Sequence, residues 1–176
     1  EAFEELTSFM NFFERSQGEA RVGSGGPYPD GGGMAISFVG PPGTGKSMLS
    51  EAIAGELKRP LIVVDSSRLT GDTDKSHALT EKIFAEAQVQ GAVLLFDRCE
   101  PLFAKGNARL PILYSQMDRF GGLVILTLSK ADDLDSGLER HITWQLTLEI
   151  PEVEQRKLIW KTHLPTSIAL ADDVDV

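Results

Sequence analysis

The segment GPPGTGKS, Gly40 to Ser47, constrains this chain more than any other feature, because the spacing GxxxxGK[ST] works between a buried strand and a helix. The apolar run MAISFV at 34–39 precedes it, and the helix-compatible run MLSEAIAGEL follows. In that setting the glycines let backbone N–H groups turn inward around phosphate oxygens, and the helix N-terminus adds its partial positive charge. Lys46 is placed to reach β- and γ-phosphates, and Ser47 to hold Mg²⁺. The loop therefore predicts phosphate binding, without saying what is done with the phosphate.

The rest of the chain supplies the elements such a loop sits on. Short β-rich runs predict strands at 34–39, 61–65, 92–96, 123–128 and 144–150, and amphipathic runs predict helices at 46–58, 76–89, 107–119 and 152–163. Pro60 and the pair Gly121-Gly122 punctuate two of the helices. Strands alternating with helices define an α/β fold with a parallel sheet. Ahead of it, Phe3, Leu6, Phe9, Met10 and Phe13 recur at helical spacing, and the Gly- and Pro-rich stretch 18–33 reads as a linker.

Composition narrows the function classes. The chain has 176 residues, 41% hydrophobic, enough for one domain with a real core. Its apolar runs are strand-sized, far short of the roughly 20 residues a membrane helix needs. A formal net charge of −9 and a pI near 4.8 oppose non-specific binding to nucleic acid. Cys99 is alone, so no internal disulfide forms, and a reducing, cytoplasmic setting is expected. A start on Glu1 and an end on ADDVDV lead us to expect a piece of a longer protein.

Four segments in order carry a resemblance to the AAA+ ATPases over roughly residues 34–164. FVGPPGTGKSMLSEAIAGEL resembles their nucleotide loop and following helix, and VLLFDRCEPLF their Walker B strand. LVILTLSKADDLDSGLERHI is similar to sensor 1 and the arginine-finger segment, and LEIPEVEQRKLIWKTHLP to the passage into the helical lid. The resemblance implies a five-stranded parallel sheet in the order 5-1-4-3-2, binding ATP or ADP with Mg²⁺. It implies that Gly40, Pro41, Pro42, Gly43, Thr44, Gly45, Lys46, Ser47 and Met48 contact the nucleotide, with Ser47 and Asp97 at the metal. It also implies roles in hydrolysis for Asp97, Glu100, Ser129 and Arg140, and as partners other AAA+ subunits or a tandem AAA+ domain, with a protein substrate. The chain then divides into a helix and linker over 1–33, the nucleotide-binding core over 34–150, and a truncated start of the lid over 151–176.

Several positions depart from that pattern. Asp97 matches the first acid of Walker B, but Arg98 stands where the second acid orients the attacking water. A guanidinium stays protonated and cannot accept a proton. It is suited instead to pair with a γ-phosphate and hold ATP as a structural ligand. Glu100 is the nearest other acid, about 6 Å further along an extended chain. Ser129 takes the place of the sensor asparagine, His141 that of a second arginine after Arg140, and the run before GDTDK lacks the aromatic pore residue. These changes predict nucleotide binding with weakened or lost hydrolysis. The alternatives are a competent ATPase using Glu100, a non-catalytic scaffold stabilised by ATP, and a GTPase reading guanine through SKAD at 129–132, against which DRCE lacks the expected glycine. Asp65 reads as a strand terminus, Cys99 as a semi-buried filler, Trp144 and Trp160 as packing for the last strand and helix, and His77, His141 and His163 as ordinary residues without metal-ligand spacing.

Overall fold

The computed structural model describes residues 2–20, 33–69, 73–130 and 134–164. Five strands, β1 (Met34–Val39), β2 (Leu61–Asp65), β3 (Val93–Asp97), β4 (Leu123–Leu128) and β5 (Trp144–Thr147), form one sheet in the order β2-β3-β4-β1-β5. All four pairings are parallel, which is the expected 5-1-4-3-2 order read from the other edge. The helices are α1 (Ala2–Ala20), α2 (Lys46–Glu56), α3 (Thr73–Gln90), α4 (Leu110–Arg119) and α5 (Val153–His163).

Burial explains the layering. All six residues of β4 are buried, as the continuous apolar run LVILTL requires of a central strand covered on both faces. On one face Ile36, Phe38, Leu95 and Ile125 pack with Leu6, Phe9 and Phe13 of α1 and Ile53 of α2. On the other, Leu94, Phe96, Val124 and Leu126 pack with Phe84 and Ala87 of α3 and Leu113 and Met117 of α4. Because α2 leaves β1 for one face while α3 and α4 cover the other, a crevice opens beyond the carboxyl ends of β1 and β4. Open α/β sheets bind ligands at that position.

Boundaries moved where local bonds outweighed periodicity. Helix α2 stops at Glu56, ahead of the expected 58, because Lys58 takes a left-handed φ of 53° and the N–H groups of Lys58 and Arg59 fold back on Gly55 and Ala54 carbonyls. Helix α4 begins at Leu110 instead of 107: Asn107 is spent in a turn, its Oδ1 accepting the Arg109 N–H at 3.0 Å. Strand β3 is displaced by one residue, and α3 starts three residues early at Thr73. Strand β5 ends at Thr147, short of 150, because its neighbour β1 turns away into the loop after Val39. Helix α1 continues through Ala20, past the expected start of the linker, whose residues 21–32 lie outside the described residues, as does 165–176 of the lid. Trp144 packs as expected, stacked on Phe9 with centroids 5.4 Å apart, but Trp160 is 60% exposed on α5, none of whose residues is buried.

The N-terminal stripe thus belongs to this core. Phe13 is fully buried, and the Arg59 guanidinium lies 5.2 Å from its ring centroid. Phe13→Ala should destabilise the chain by about 3–5 kcal/mol in urea unfolding. A change under about 0.5 kcal/mol, the range of ordinary surface substitutions, would show that α1 does not pack here in solution.

Candidate functional site

The phosphate-loop motif spans the end of β1 and the start of α2. A side chain at Gly40 would place its Cβ 2.0 Å from the Leu148 carbonyl oxygen, so only glycine lets the end of β5 approach here. Pro41, Pro42 and Gly43 form an exposed crest, braced by Thr44 Oγ1 donating to the Pro41 carbonyl at 3.0 Å. Gly45 caps α2 with a φ of 91°, a conformation nearly reserved for glycine, which aims the first N–H groups of α2 at the loop interior. Lys46 is buried and donates from Nζ to the carbonyls of Gly40 at 2.6 Å and Pro41 at 2.8 Å. An ammonium has three N–H donors, so a third is available to a ligand. Met48 is 64% exposed one turn into the helix, an apolar side chain held at the mouth of the loop.

Asp97, at the end of β3, is the centre of the polar contacts. Its Oδ1 accepts hydroxyl hydrogens from Ser47 at 2.9 Å and from Thr127 of β4 at 2.7 Å. Thr127 Oγ1 in turn accepts the Arg98 N–H at 2.8 Å, and Ser66 Oγ donates to the Asp97 carbonyl at 3.0 Å. Thr127 was not among the residues singled out from the sequence. The available signal was a lone hydroxyl in an otherwise apolar central strand. Magnesium takes oxygen donors and keeps several waters, and the Ser47 hydroxyl and Asp97 carboxylate are two oxygen donors already brought together, so these residues fit that ion.

Arg98 follows with a left-handed φ of 51° and a side chain 83% exposed, its Nε 3.6 Å from Asp97 Oδ2. Glu100 does not stand free beside the loop: its Oε1 accepts the backbone N–H of Ser129, tying the end of β3 to the end of β4, where the resemblance expects a sensor residue. Cys99 is fully buried, not semi-buried, and burial, followed by the charge of Glu100, pushes its thiol well above the usual range. It is an inert filler. Asp65 ends β2 beside Asp97 in the sheet register, with an exposed side chain.

Arg140 and His141 take different roles. Arg140 ends a short 3₁₀ turn, Leu138–Arg140, with its side chain exposed. His141 instead folds inward, stacked on Tyr114 of α4 with centroids 4.3 Å apart and Nδ1 2.7 Å from Asp118 Oδ1. Tyr114 Oη and the Gly137 N–H both donate to Asp135 Oδ1, at 3.0 and 2.9 Å. Burial, then that hydrogen bond, raises the Tyr114 phenol above its usual range. A cavity of about 700 Å³ lies under this segment, lined by Ser37, Leu128, Leu138, Ile142 and Gln145, and no phosphate-loop residue borders it. Of the SKAD stretch weighed for guanine reading, Ala131 and Asp132 lie outside the described residues, as do Thr70, Gly71 and Asp72 of the run compared with a pore loop.

Comparison with known proteins agrees with this fold. The model of the ATPase family associated with various cellular activities (AAA) matches residues 36–151. The ATP-dependent zinc metalloprotease FtsH 2 of Salinibacter ruber is 30% identical over an alignment covering 99% of this chain and 27% of that protein. For FtsH of Haemophilus influenzae the figures are 29% identity, 99% of this chain and 29% of that protein. The chain therefore spans under a third of the length of these curated relatives. The crystal structure of the FIGL-1 AAA domain in complex with ADP aligns with a TM-score of 0.61 over 73% of this chain and 47% of that one, at 24% identity, a likeness of fold.

The Asp97–Thr127 contact generates a direct test. Thr127→Val keeps the shape of a fully buried side chain but removes the hydroxyl that serves both Asp97 and the Arg98 N–H. Stability in urea should fall by about 1–3 kcal/mol. No loss would mean that the two groups find other partners.

Proposed function

The chain belongs to the AAA family of ATPases, and from that premise we propose that it is the ATP-binding domain of a larger protein-remodelling or assembly ATPase, with weak or lost hydrolysis at this site. The observation that carries this reading is an intact phosphate cradle followed, one residue past Asp97, by a guanidinium in place of a water-orienting acid. ATP or ADP lies along Gly40–Ser47, with backbone N–H groups and Lys46 on the phosphates and Met48 against the nucleoside. Ser47 and Asp97 would hold Mg²⁺, which when bound neutralises phosphate charge.

Hydrolysis needs a group that takes a proton from water or orients it, a contribution of about 10²- to 10⁴-fold in rate. Arg98 cannot supply it. Glu100 is engaged by the Ser129 N–H, so serving as base would require it to leave that partner. Both facts favour a slow site over the competent alternative. Of the pair at the finger position, Arg140, exposed at its turn, is the cation left to reach a neighbouring subunit or tandem domain, since His141 is engaged with Asp118. The protein substrate and a cytoplasmic setting stand as part of the same proposal, the latter on composition and the lone cysteine.

Single-turnover ATP hydrolysis by the full-length protein tests this reading. Wild type should turn over very slowly, and Arg98→Glu should recover part of the roughly 10²- to 10⁴-fold that a general base contributes. Lys46→Ala should abolish nucleotide binding and serve as the control for contaminating ATPase. A wild-type rate that is already fast and collapses in Glu100→Gln would overturn the reading and make Glu100 the working base.

A further inference from the structure

We propose that Arg98 performs part of the divalent cation's work, so that nucleotide binding at this site does not depend on magnesium. The inference rests on the nucleotide-binding reading above and deepens it. Asp97 is where the two cations would meet. Its Oδ1 already accepts the hydroxyls of Ser47 and Thr127, at 2.9 and 2.7 Å, which occupies both lone-pair directions of that oxygen. Its Oδ2 faces Arg98 Nε at 3.6 Å. The carboxylate beside the phosphate loop thus has a counter-charge from its own chain next to it.

The backbone shows how this placement arises. Along an extended strand successive side chains leave opposite faces, so a residue continuing β3 past Asp97 would point away from the side that Ser47 reaches. Arg98 breaks that alternation with a φ of 51°, a conformation uncommon for a residue with a Cβ. The turn is held on both sides, by the Arg98 N–H on Thr127 Oγ1 at 2.8 Å and the Cys99 N–H on the Thr127 carbonyl at 3.1 Å. The consequence is a guanidinium lying alongside the Asp97 carboxylate instead of across the sheet from it.

The chemistry of the two ends of Arg98 then matches a polyphosphate. Lys46 and the N-terminus of α2 together supply about one and a half positive charges, less than the charge of a nucleoside triphosphate. A guanidinium offers five N–H donors in a planar fork, so Nε can face Asp97 while the terminal nitrogens take phosphate oxygens two at a time. With its side chain 83% exposed, Arg98 meets the ligand from the solvent side of the crevice.

Calorimetric titration of the full chain with ADP and with ATP, in magnesium and in EDTA, tests the proposal. Wild-type dissociation constants should differ less than about threefold between the two buffers. Arg98→Gln should weaken binding in EDTA by about 10- to 100-fold, the worth of one charge-assisted hydrogen bond, and bind near the wild-type level once magnesium is restored. Arg98→Lys, which keeps the charge without the fork, should fall between. Because Arg98 is exposed, the variants should keep the wild-type melting temperature, which is checked first. Tight wild-type binding in magnesium that is lost in EDTA overturns the inference, as does binding that ignores magnesium equally in Arg98→Gln. An absence of binding in either buffer would instead sink the nucleotide-binding reading itself.

Discussion

One carboxylate oxygen, Asp97 Oδ1, joins three segments that lie far apart in the sequence. Ser47 comes from the helix after β1, Thr127 from β4, and Asp97 from β3. They meet only because β4 lies between β3 and β1, with Phe96 opposite Leu126 and Val39 opposite Leu128. The core on either face of the sheet sets that register, since a slip of one residue would exchange each strand's side chains between two differently packed faces. The buried phenylalanines and the polar node are therefore one design: packing fixes the register, and the register places the hydroxyls.

Charge at the node runs against the charge of the whole chain. A net charge of −9 repels a polyphosphate at long range, but salt screens that repulsion beyond about 8 Å at physiological ionic strength. Binding at the crevice must then come from short-range groups: the N–H groups at the start of α2, Lys46, and the guanidinium of Arg98. Lys46 is anchored to the Gly40 and Pro41 carbonyls, which restricts its side-chain freedom. Such a site is preorganised but not electrostatically steered.

What could be read in the sequence follows from how local each cause is. The phosphate loop, all five strands and the substitution at Arg98 are written in contiguous residues, and the strand order follows from the resemblance. Thr127 escaped because its role depends on the β3–β4 register. The engagement of Glu100 by the Ser129 N–H, and the stacking of His141 on Tyr114, likewise join residues 29 and 27 positions apart. Helix ends moved where a single residue chose a bond over periodicity, as Asn107 and Lys58 did. Trp160 stays exposed because α5 buries none of its residues among those described, so a tryptophan's usual preference for packing had nothing here to act on.

The departures from the family pattern are not spread evenly over the site, and their distribution argues for the proposed reading. A chain drifting without a use for its nucleotide would loosen the contacts that bind it as readily as those that hydrolyse it. Here the binding groups converge: Lys46 lines the loop, and Ser47 reaches Asp97. The Arg140 turn is also held firmly, by Tyr114 and Gly137 on Asp135 and by His141 between Tyr114 and Asp118. Among the altered positions, Arg98 stands where a group would meet the attacking water, and it is held in a left-handed turn by two hydrogen bonds to Thr127. A backbone conformation of this kind costs of order 1–3 kcal/mol and persists only where its surroundings impose it. On the proposed reading, that cost is retained because Arg98 answers the phosphates, and the site's task is to hold the nucleotide instead of cleaving it.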